Sequence, residues 1–288
     1  MESESARLNQ IGIVGLGLIG GSLGLDLQSL GYKVCGLVNR HETLERAKER
    51  GLAQLIDTDP EILSNCSMVI LALPLSQIIT PSQALISCLN PNSVVTDVGS
   101  VKTPVLNSWE KLHPRFVASH PMAGTSEAGV EAGQKGLFKD RPWIATPTEK
   151  TDLEALEEVR KVAVSLGSKW ITADANRHDQ AVALISHLPL LISATLLTTA
   201  GEGKKDKSDI ELAKLLSSSG FTDTTRVGGG NPKLGVDITS HNSRQILDVL
   251  NSYQSSLKKL EGIIRLEQWE KLQEKLENAK AIRRDFLD

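Results

Sequence analysis

Short runs of β-branched and aliphatic residues recur along the first part of the chain: Ile11 to Val14, Lys33 to Leu37, Met68 to Leu73, Ser93 to Val98, Arg115 to Ser119 and Pro142 to Thr146. Most are separated by stretches of helix length, and strands that alternate with helices build a largely parallel, doubly wound sheet. Leu153 to Leu166 repeats apolar positions at helical spacing, and Lys169 to Thr172 reads as a last short strand. From Ala175 onward strand patterns disappear. Asn176 to Ala200 predicts one long apolar helix, Ile210 to Leu216 a short one, and Thr222 to Pro232 a polar, Gly-rich connection. Ile246, Leu250, Tyr253, Leu257, Leu260 and Ile264 then recur at helical gaps, and Trp269, Leu272, Leu276 and Ala279 resume the stripe after a phase slip between Ile264 and Trp269, near Gly262.

This pattern predicts a flexible lead over 1–10, an α/β domain over 11–174 and an all-helical domain over 175–288. Apolar stripes of such length exceed what one small domain covers, which favours an intertwined helical homodimer over solvated single helices. Ala181 to Ala200 is apolar enough to raise the question of a membrane span. It carries His187, Pro189 and several hydroxyls and lacks flanking interfacial aromatics, so a buried helix is expected instead.

Gly15, Gly17 and Gly20 spell GxGxxG directly after the first predicted strand and open a helix. In that context the first glycine makes a tight turn, the second admits a pyrophosphate against the backbone, and the third lets helix and strand pack closely. Leu18 and Ile19 begin the helix, whose free N–H groups and positive dipole end suit a diphosphate. The first domain is therefore read as a Rossmann-type dinucleotide-binding domain. The second strand is followed by Asn39 and Arg40 rather than by the acid that would accept both ribose hydroxyls of NAD. Arg40 can pair with a 2′-phosphate and Asn39 and Thr43 add neutral donors, so NADP is preferred. Leu73 and Pro74, at the end of another strand, are expected against the nicotinamide half.

Composition narrows the remaining choices. With 32 basic and 35 acidic residues, a net charge of −3 and no basic run, nucleic acid is not an expected partner. Cys35, Cys66 and Cys88 stand without CxxC spacing or neighbouring histidines, which predicts no metal site and buried thiols in a reducing compartment. The polar lead does not read as a secretion signal, so a cytoplasmic location and no membrane partner are expected.

Two further stretches, Asp97-Val98-Gly99-Ser100-Val101-Lys102 and Ser119-His120-Pro121-Met122-Ala123-Gly124-Thr125, follow strands of the sheet, where open α/β folds bind ligands. Together with Ser186-His187-Leu188-Pro189, then Thr225-Arg226 and Asp237-Ile238, they resemble the prephenate and arogenate dehydrogenase family. The resemblance implies a nicotinamide-dependent oxidoreductase of tyrosine biosynthesis, similar to cyanobacterial-type NADP-dependent arogenate dehydrogenases, with prephenate as the alternative substrate. It makes His120 the base that takes the substrate hydroxyl proton, a task suited to a neutral imidazole of pKa near 6.5. Ser100 would orient that pair and touch the nicotinamide ribose, His187 would face the substrate, and Arg226 would clamp the ring carboxylate. Thr125 and Ser126 would line the substrate site. The remaining histidines, His41, His113, His178 and His241, read as solvated or capping residues. Two positions depart from the family: Gly235 stands where a Trp is frequent, and Ser126 where many relatives carry a chargeable side chain. Both bear on recognition of the substrate's tail. A β-hydroxyacid dehydrogenase is a rival, but its lysine on the long helix has no counterpart between Lys169 and Lys204. A non-catalytic NADP-binding sensor would not need His120, Ser100 and Arg226 together.

Overall fold

The computed structural model describes residues 10–125, 127–202 and 206–287; the lead before Gln10, and Ser126, lie outside them. The chain forms two compact units, one running to Asn242 and one from Ser243. In chain order the strands are β1 (Gln10–Val14), β2 (Lys33–Leu37), β3 (Leu55–Asp57), β4 (Met68–Leu71), β5 (Val94–Asp97), β6 (Phe116–Val117), β7 (Ser119–Pro121), β8 (Pro142–Ala145) and β9 (Lys169–Thr172). Between them lie α1 (Leu18–Ser29), α2 (His41–Glu49), α3 (Leu75–Ile79), α4 (Gln83–Cys88), α5 (Thr103–Trp109) and α6 (Leu153–Ser165). The helical part adds α7 (Ala175–Val182), α8 (Leu188–Glu202), α9 (Lys207–Leu216), α10 (Ser219–Thr225), α11 (Pro232–His241), α12 (Ser243–Arg265) and α13 (Trp269–Leu287).

The first six strands form one parallel sheet in the order β3-β2-β1-β4-β5-β6, the doubly wound arrangement whose two halves meet between β1 and β4. Alternate residues of the central strands feed opposite faces, which is why these strands read as continuous apolar runs. Ile11, Ile13, Met68 and Ile70 enter one core with Leu23 and Leu27 of α1 and Val159 of α6. Val14, Val69, Leu71 and Val95 enter the other, with Leu85, Val105 and Trp109.

Several elements differ from the sequence pattern. The run Arg115 to Ser119 is not one strand: after β6 the chain leaves the sheet at Ala118, and β7 pairs antiparallel with β8 in a second sheet of order β7-β8-β9. Periodicity cannot register such a change of partner, because both segments keep an extended backbone. The strand β3, three residues with only Ile56 buried, carries too little signal to be found. The long apolar helix is continuous but holds a π-turn over Ala183–His187, where the Leu188 N–H reaches back to the Ala183 carbonyl. Pro189 has no N–H to offer the preceding turn, and a widened turn accommodates that loss. Nor is this helix buried throughout. Val182, Ala183, His187, Leu188 and Ser193 are enclosed, while Leu184 and Ile185 are half exposed.

The predicted connection Thr222 to Pro232 is shorter than expected, because α10 runs to Thr225 and Pro232 occupies the first turn of α11, where its fixed φ favours helix entry. Asn231 caps α11 by accepting the Lys233 N–H at 3.0 Å. In the C-terminal unit the break falls at Glu267, within the interval between Ile264 and Trp269 where the stripe changes phase, while Gly262 lies inside α12. Glu267 has φ +51°, and the N–H groups of Glu267 and Gln268 return to the carbonyls of Ile264 and Ile263, a Schellman closure with glutamate in place of the usual glycine. Within this unit Leu257, Ile264, Trp269, Leu276 and Phe286 remain exposed. Cys35 and Cys66 are buried, as expected, whereas Cys88 is only half-buried at the end of α4. Its place beside Glu61, whose carboxylate it contacts at 3.7 Å, keeps it near solvent.

Close packing of α1 against the turn that follows α2 depends on an absent side chain. A Cβ on Gly24 would lie 1.9 Å from the Leu52 carbonyl oxygen, a backbone atom that cannot turn aside. Gly24→Ala is accordingly expected to lower stability by about 2 kcal/mol, read as a shift of the urea midpoint at constant slope. An unchanged midpoint would show that the helix can move away from that turn without penalty.

Candidate active site

The glycine turn joins β1 to α1 with a distinct reason for each residue. Gly15 has φ +91°, and a Cβ there would meet the Ala72 carbonyl at 2.5 Å. A Cβ on Gly20 would lie 1.8 Å from the Gly15 carbonyl, so the helix can close on its own turn only without one. Gly17 is different: nothing lies within 4 Å of its missing Cβ. That open position sits at the N-cap of α1, whose first turn, begun by Leu18 and Ile19, has no side-chain cap and no acidic residue. Unpaired N–H groups beside an unfilled glycine fit a diphosphate. Leu73 reaches over the turn, its Cδ2 3.1 Å from where the Gly15 Cβ would stand, and Pro74 follows as the exposed N-cap of α3.

At the end of β2, Asn39 and Arg40 are exposed and Thr43 is half-buried in the first turn of α2. The neighbouring Asp57, in register with Leu37, turns its carboxylate to its own loop and accepts the N–H groups of Thr58 and Asp59 at 2.6 and 3.1 Å. Those two bonds hold its carboxyl below the usual range.

Beyond β5 lies a fully buried ion pair. Lys102 and Asp97 are both 0% exposed, and the ammonium donates to Asp97 Oδ2 and to the Ser119 carbonyl, the latter at 2.7 Å. Asp97 also accepts the N–H groups of Gly99 at 2.8 Å and Ser119 at 3.1 Å. The Ser119 hydroxyl donates to the Asp97 carbonyl and accepts the Trp143 indole N–H at 3.0 Å. Burial raises the Asp97 carboxyl and lowers the Lys102 ammonium, so each ion depends on the other to stay charged. The effect is to pin the backbone of Ser119, one residue before His120.

His120 lies on β7, opposite Ile144 of β8, with its ring half-buried. Its Nδ1 is 3.0 Å from His178 Nε2, the two rings meeting edge to face at 77°. His178 Nδ1 is in turn 2.9 Å from Asp179 Oδ1. Asp179 is buried at the start of the helical part and also accepts the N–H groups of Lys102 and Thr103 at 2.7 and 2.9 Å, capping α5. Burial works against its carboxylate, but these donors outweigh it and hold the carboxyl below its ordinary value. His120 is driven well below the ordinary imidazole value, by burial first and then by the nearness of other groups that can carry positive charge, His178, Lys102 and His187. His187, on the π-turn, is lowered to about 4, again mainly by burial. Asn242 donates one amide group to both the Asp179 carbonyl, at 2.9 Å, and His187 Nδ1, at 3.2 Å. The backbone carbonyl fixes which end of that amide is nitrogen, so His187 carries its proton on Nε2.

Comparison with known proteins shows the family of the chain. Residues 23–172 match the family model described as prephenate dehydrogenase, nucleotide-binding domain, and residues 174–278 the one described as prephenate dehydrogenase, dimerization domain. The chain belongs to the prephenate dehydrogenase family. It is 32% identical to the cyclohexadienyl dehydrogenase of Zymomonas mobilis over 88% of each sequence. Among solved structures, Synechocystis arogenate dehydrogenase aligns at 40% identity with a TM-score of 0.83, over 96% of this chain and all of that one. The prephenate dehydrogenase of Aquifex aeolicus, in complex with hydroxyphenyl propionate and NAD+, aligns at 29% identity with a TM-score of 0.89, over 96% of this chain and 98% of that one.

Within this prephenate dehydrogenase fold, the sequence motifs fall into two groups. His120, His187 and the DVGSVK turn converge through Lys102, His178, Asp179 and Asn242. Ser100 is half-buried and makes no hydrogen bond to His120 among the described residues, while His120 Nδ1 is engaged by His178. Arg226 caps α10 as an exposed side chain with no ion-pair partner among the described residues. Its loop is held against α8, where the Gly228 N–H donates to Ser193 Oγ at 2.8 Å and a Cβ on Gly228 would lie 2.3 Å from the Ala194 nitrogen. Thr125 is exposed and accepts the Glu127 N–H, Ser126 lies outside the described residues, and a Cβ on Gly235 would meet Leu190 at ordinary contact distance. Asp237 of the DI pair accepts the Ser76 N–H at 3.2 Å, at the start of α3.

Two histidines differ from their sequence reading. His113 is buried, with Nε2 3.1 Å from the Asn90 carbonyl, and His178 is the partner of His120 rather than a solvated residue. The only sequence signal for the latter was the adjacent pair His178-Asp179 eight residues ahead of the SHLP stretch, which no spacing rule marks as chemical. Removing the cation under Ser119 should be costly. Lys102→Met is expected to destabilise the fold by about 3 kcal/mol, because it leaves a buried carboxylate unpaired, while Lys102→Met with Asp97→Leu recovers most of the loss. Thermal melts of the two variants decide this, and equal destabilisation by both would contradict the pairing.

Proposed function

We propose that the protein converts arogenate to tyrosine by oxidative decarboxylation with NADP, as a cytoplasmic homodimer in which residues 11–174 bind the dinucleotide and 175–288 carry substrate and dimer contacts. The observation that carries this reading is the state of His120: an uncharged imidazole whose Nδ1 is engaged and whose Nε2 has no partner among the described residues. Such a ring can accept the proton of a ring hydroxyl. A nicotinamide bound at the glycine turn supplies the acceptor for the hydride leaving C4, and loss of carbon dioxide with aromatisation makes the step downhill.

The remaining roles follow from what each side chain offers. His187 presents an N–H donor, since its Nδ1 is held by Asn242. Arg226, uncommitted to any ion pair described, has a planar fork that matches the ring carboxylate. Ser100, half-buried one residue beyond the Gly99 turn, is left to the nicotinamide ribose. Gly15, Gly17, Gly20, Leu18 and Ile19 take the diphosphate, with Leu73 and Pro74 beside the nicotinamide. NADP is preferred because Asn39 and Arg40 stand exposed at the end of β2 while Asp57 is satisfied by its own loop. Thr125, Ser126 and Gly235 bear on the tail, where arogenate has an ammonium and prephenate a keto group. The matched dimerization-domain model and the exposed apolar residues of α12 and α13 support the homodimer.

Reduced cofactor, followed by near-ultraviolet absorbance with NADP or NAD and with arogenate or prephenate, tests the proposal. Turnover is expected to be highest with arogenate and NADP, and absence of turnover on both cyclohexadienes removes it. Arg40→Ala should raise KM for NADP on the order of tenfold and leave NAD unaffected; equal loss for both cofactors would refute its role. His120→Asn should retain NADP binding and lose most of kcat. Protonation disables the base as pH falls, and His120 faces Lys102, with its partner Asp97, as well as His178, Asp179 and His187. Because its pKa lies well below 6.5, kcat/KM should hold level through pH 6.5 and decline only at lower pH. An acid limb centred at 6.5 or above would contradict the depressed base.

A further inference from the structure

The proposed chemistry needs a lone pair on His120 Nε2, yet a free imidazole carries its proton on either nitrogen. The structure contains a device that selects one. Asp179 accepts the N–H groups of Lys102 and Thr103 and lies 2.9 Å from His178 Nδ1. An ionised carboxylate is an acceptor only, so Nδ1 of His178 must donate to it. An uncharged His178 is then left with a lone pair on Nε2. That lone pair lies 3.0 Å from His120 Nδ1, which must donate in its turn. The proton of His120 therefore sits on Nδ1, and Nε2 is free.

We propose that His178 and Asp179 act as a positioning pair that locks His120 in the tautomer able to work as a base. The inference rests on the role given to His120 above. The pair is built for it: both residues are nearly inaccessible, at 4% and 2% exposure, and Asp179 is fixed by two backbone donors on another helix. His178 cannot turn away without breaking its bond to that carboxylate, and the Asn242 amide holds the Asp179 carbonyl from the other side. The same chain of bonds serves the state after proton uptake. Once Nε2 has taken the substrate proton, the Nδ1–H of the resulting imidazolium still points at an acceptor, and that acceptor is polarised by a carboxylate. No proton needs to leave His120 for this to hold, and it departs to solvent after product release.

Nitrogen-15 spectra of the histidine rings read the tautomer directly. In the unaltered protein, with His120 assigned by loss of its signals in His120→Asn, Nδ1 is expected at a protonated, pyrrole-type shift and Nε2 at an unprotonated, pyridine-type shift. The reverse pattern, or a doubly protonated His178 at neutral pH, would overturn the proposal. His178→Phe removes the acceptor. It should move the His120 proton to Nε2 and lower kcat on the order of 100- to 1000-fold, with KM for substrate and affinity for NADP within about twofold. His178→Gln, whose amide oxygen can again accept from Nδ1, should restore Nδ1–H and part of kcat. Wild-type kcat in His178→Phe would sink the idea, as would a lost kcat with the His120 tautomer unchanged. The ring spectra of the unaltered chain need neither substrate nor a variant. A failure to turn over arogenate or prephenate would thus remove the functional reading while leaving the tautomer measurement to stand or fall alone.

Discussion

The site depends on one interaction that water never touches, the ion pair of Asp97 and Lys102. A charge taken out of solvent is tolerated only when its partners are complete, and here they are: the ammonium spans a carboxylate and a carbonyl, and the carboxylate accepts two backbone N–H groups besides. What the pair holds is a point of change in the backbone. At Ala118 the chain leaves one sheet, and at Ser119 it enters another, so the residue that follows has no long strand to fix it. Lys102 and Asp97 replace that missing length with bonds to both sides of Ser119.

His120 is fixed from two directions that are far apart in sequence. Its backbone is set by the end of β5 and its ring by the start of the helical part, where His178 and Asp179 stand 58 positions or more along the chain. Asp179 belongs to both constraints, since it caps the helix that begins beside Lys102. The sheet-forming and helical segments are therefore joined at His120, and burial disfavours protonation of both His120 and His187.

Much of the scaffold was legible because it repeats. Strands buried on both faces appear as unbroken apolar runs, and Gly15, Gly17 and Gly20 could be interpreted because each answers to a local steric need. The ordered motifs DVGSVK, SHPMAGT and SHLP pointed to His120 and His187 through resemblance. Less was legible where meaning arises from contact between distant segments. Nothing in the sequence marks Lys102 as buried, and His178 reads as a solvated or capping residue until β7 arrives beside it. The split of Arg115 to Ser119 into two strands and the π-turn before Leu188 leave no periodic trace, since the first alters only the partner and the second only one turn. The break between Ile264 and Trp269 was legible as a change of phase, but Glu267 as its left-handed residue was not, because such a residue is expected to be glycine.

The π-turn over Ala183–His187 carries an implication for how this helix can vary. A wide turn is one residue more than a regular helix would use, which rotates everything beyond it by about 100° relative to what lies before. His178 and Asp179 sit ahead of the rotation, and Ser193, which receives the loop bearing Arg226, sits after it. Loss of a single residue here would leave an unbroken, equally apolar helix, yet it would swing its two halves out of phase. A helix that looks tolerant by hydrophobicity is in this respect intolerant of any change in length.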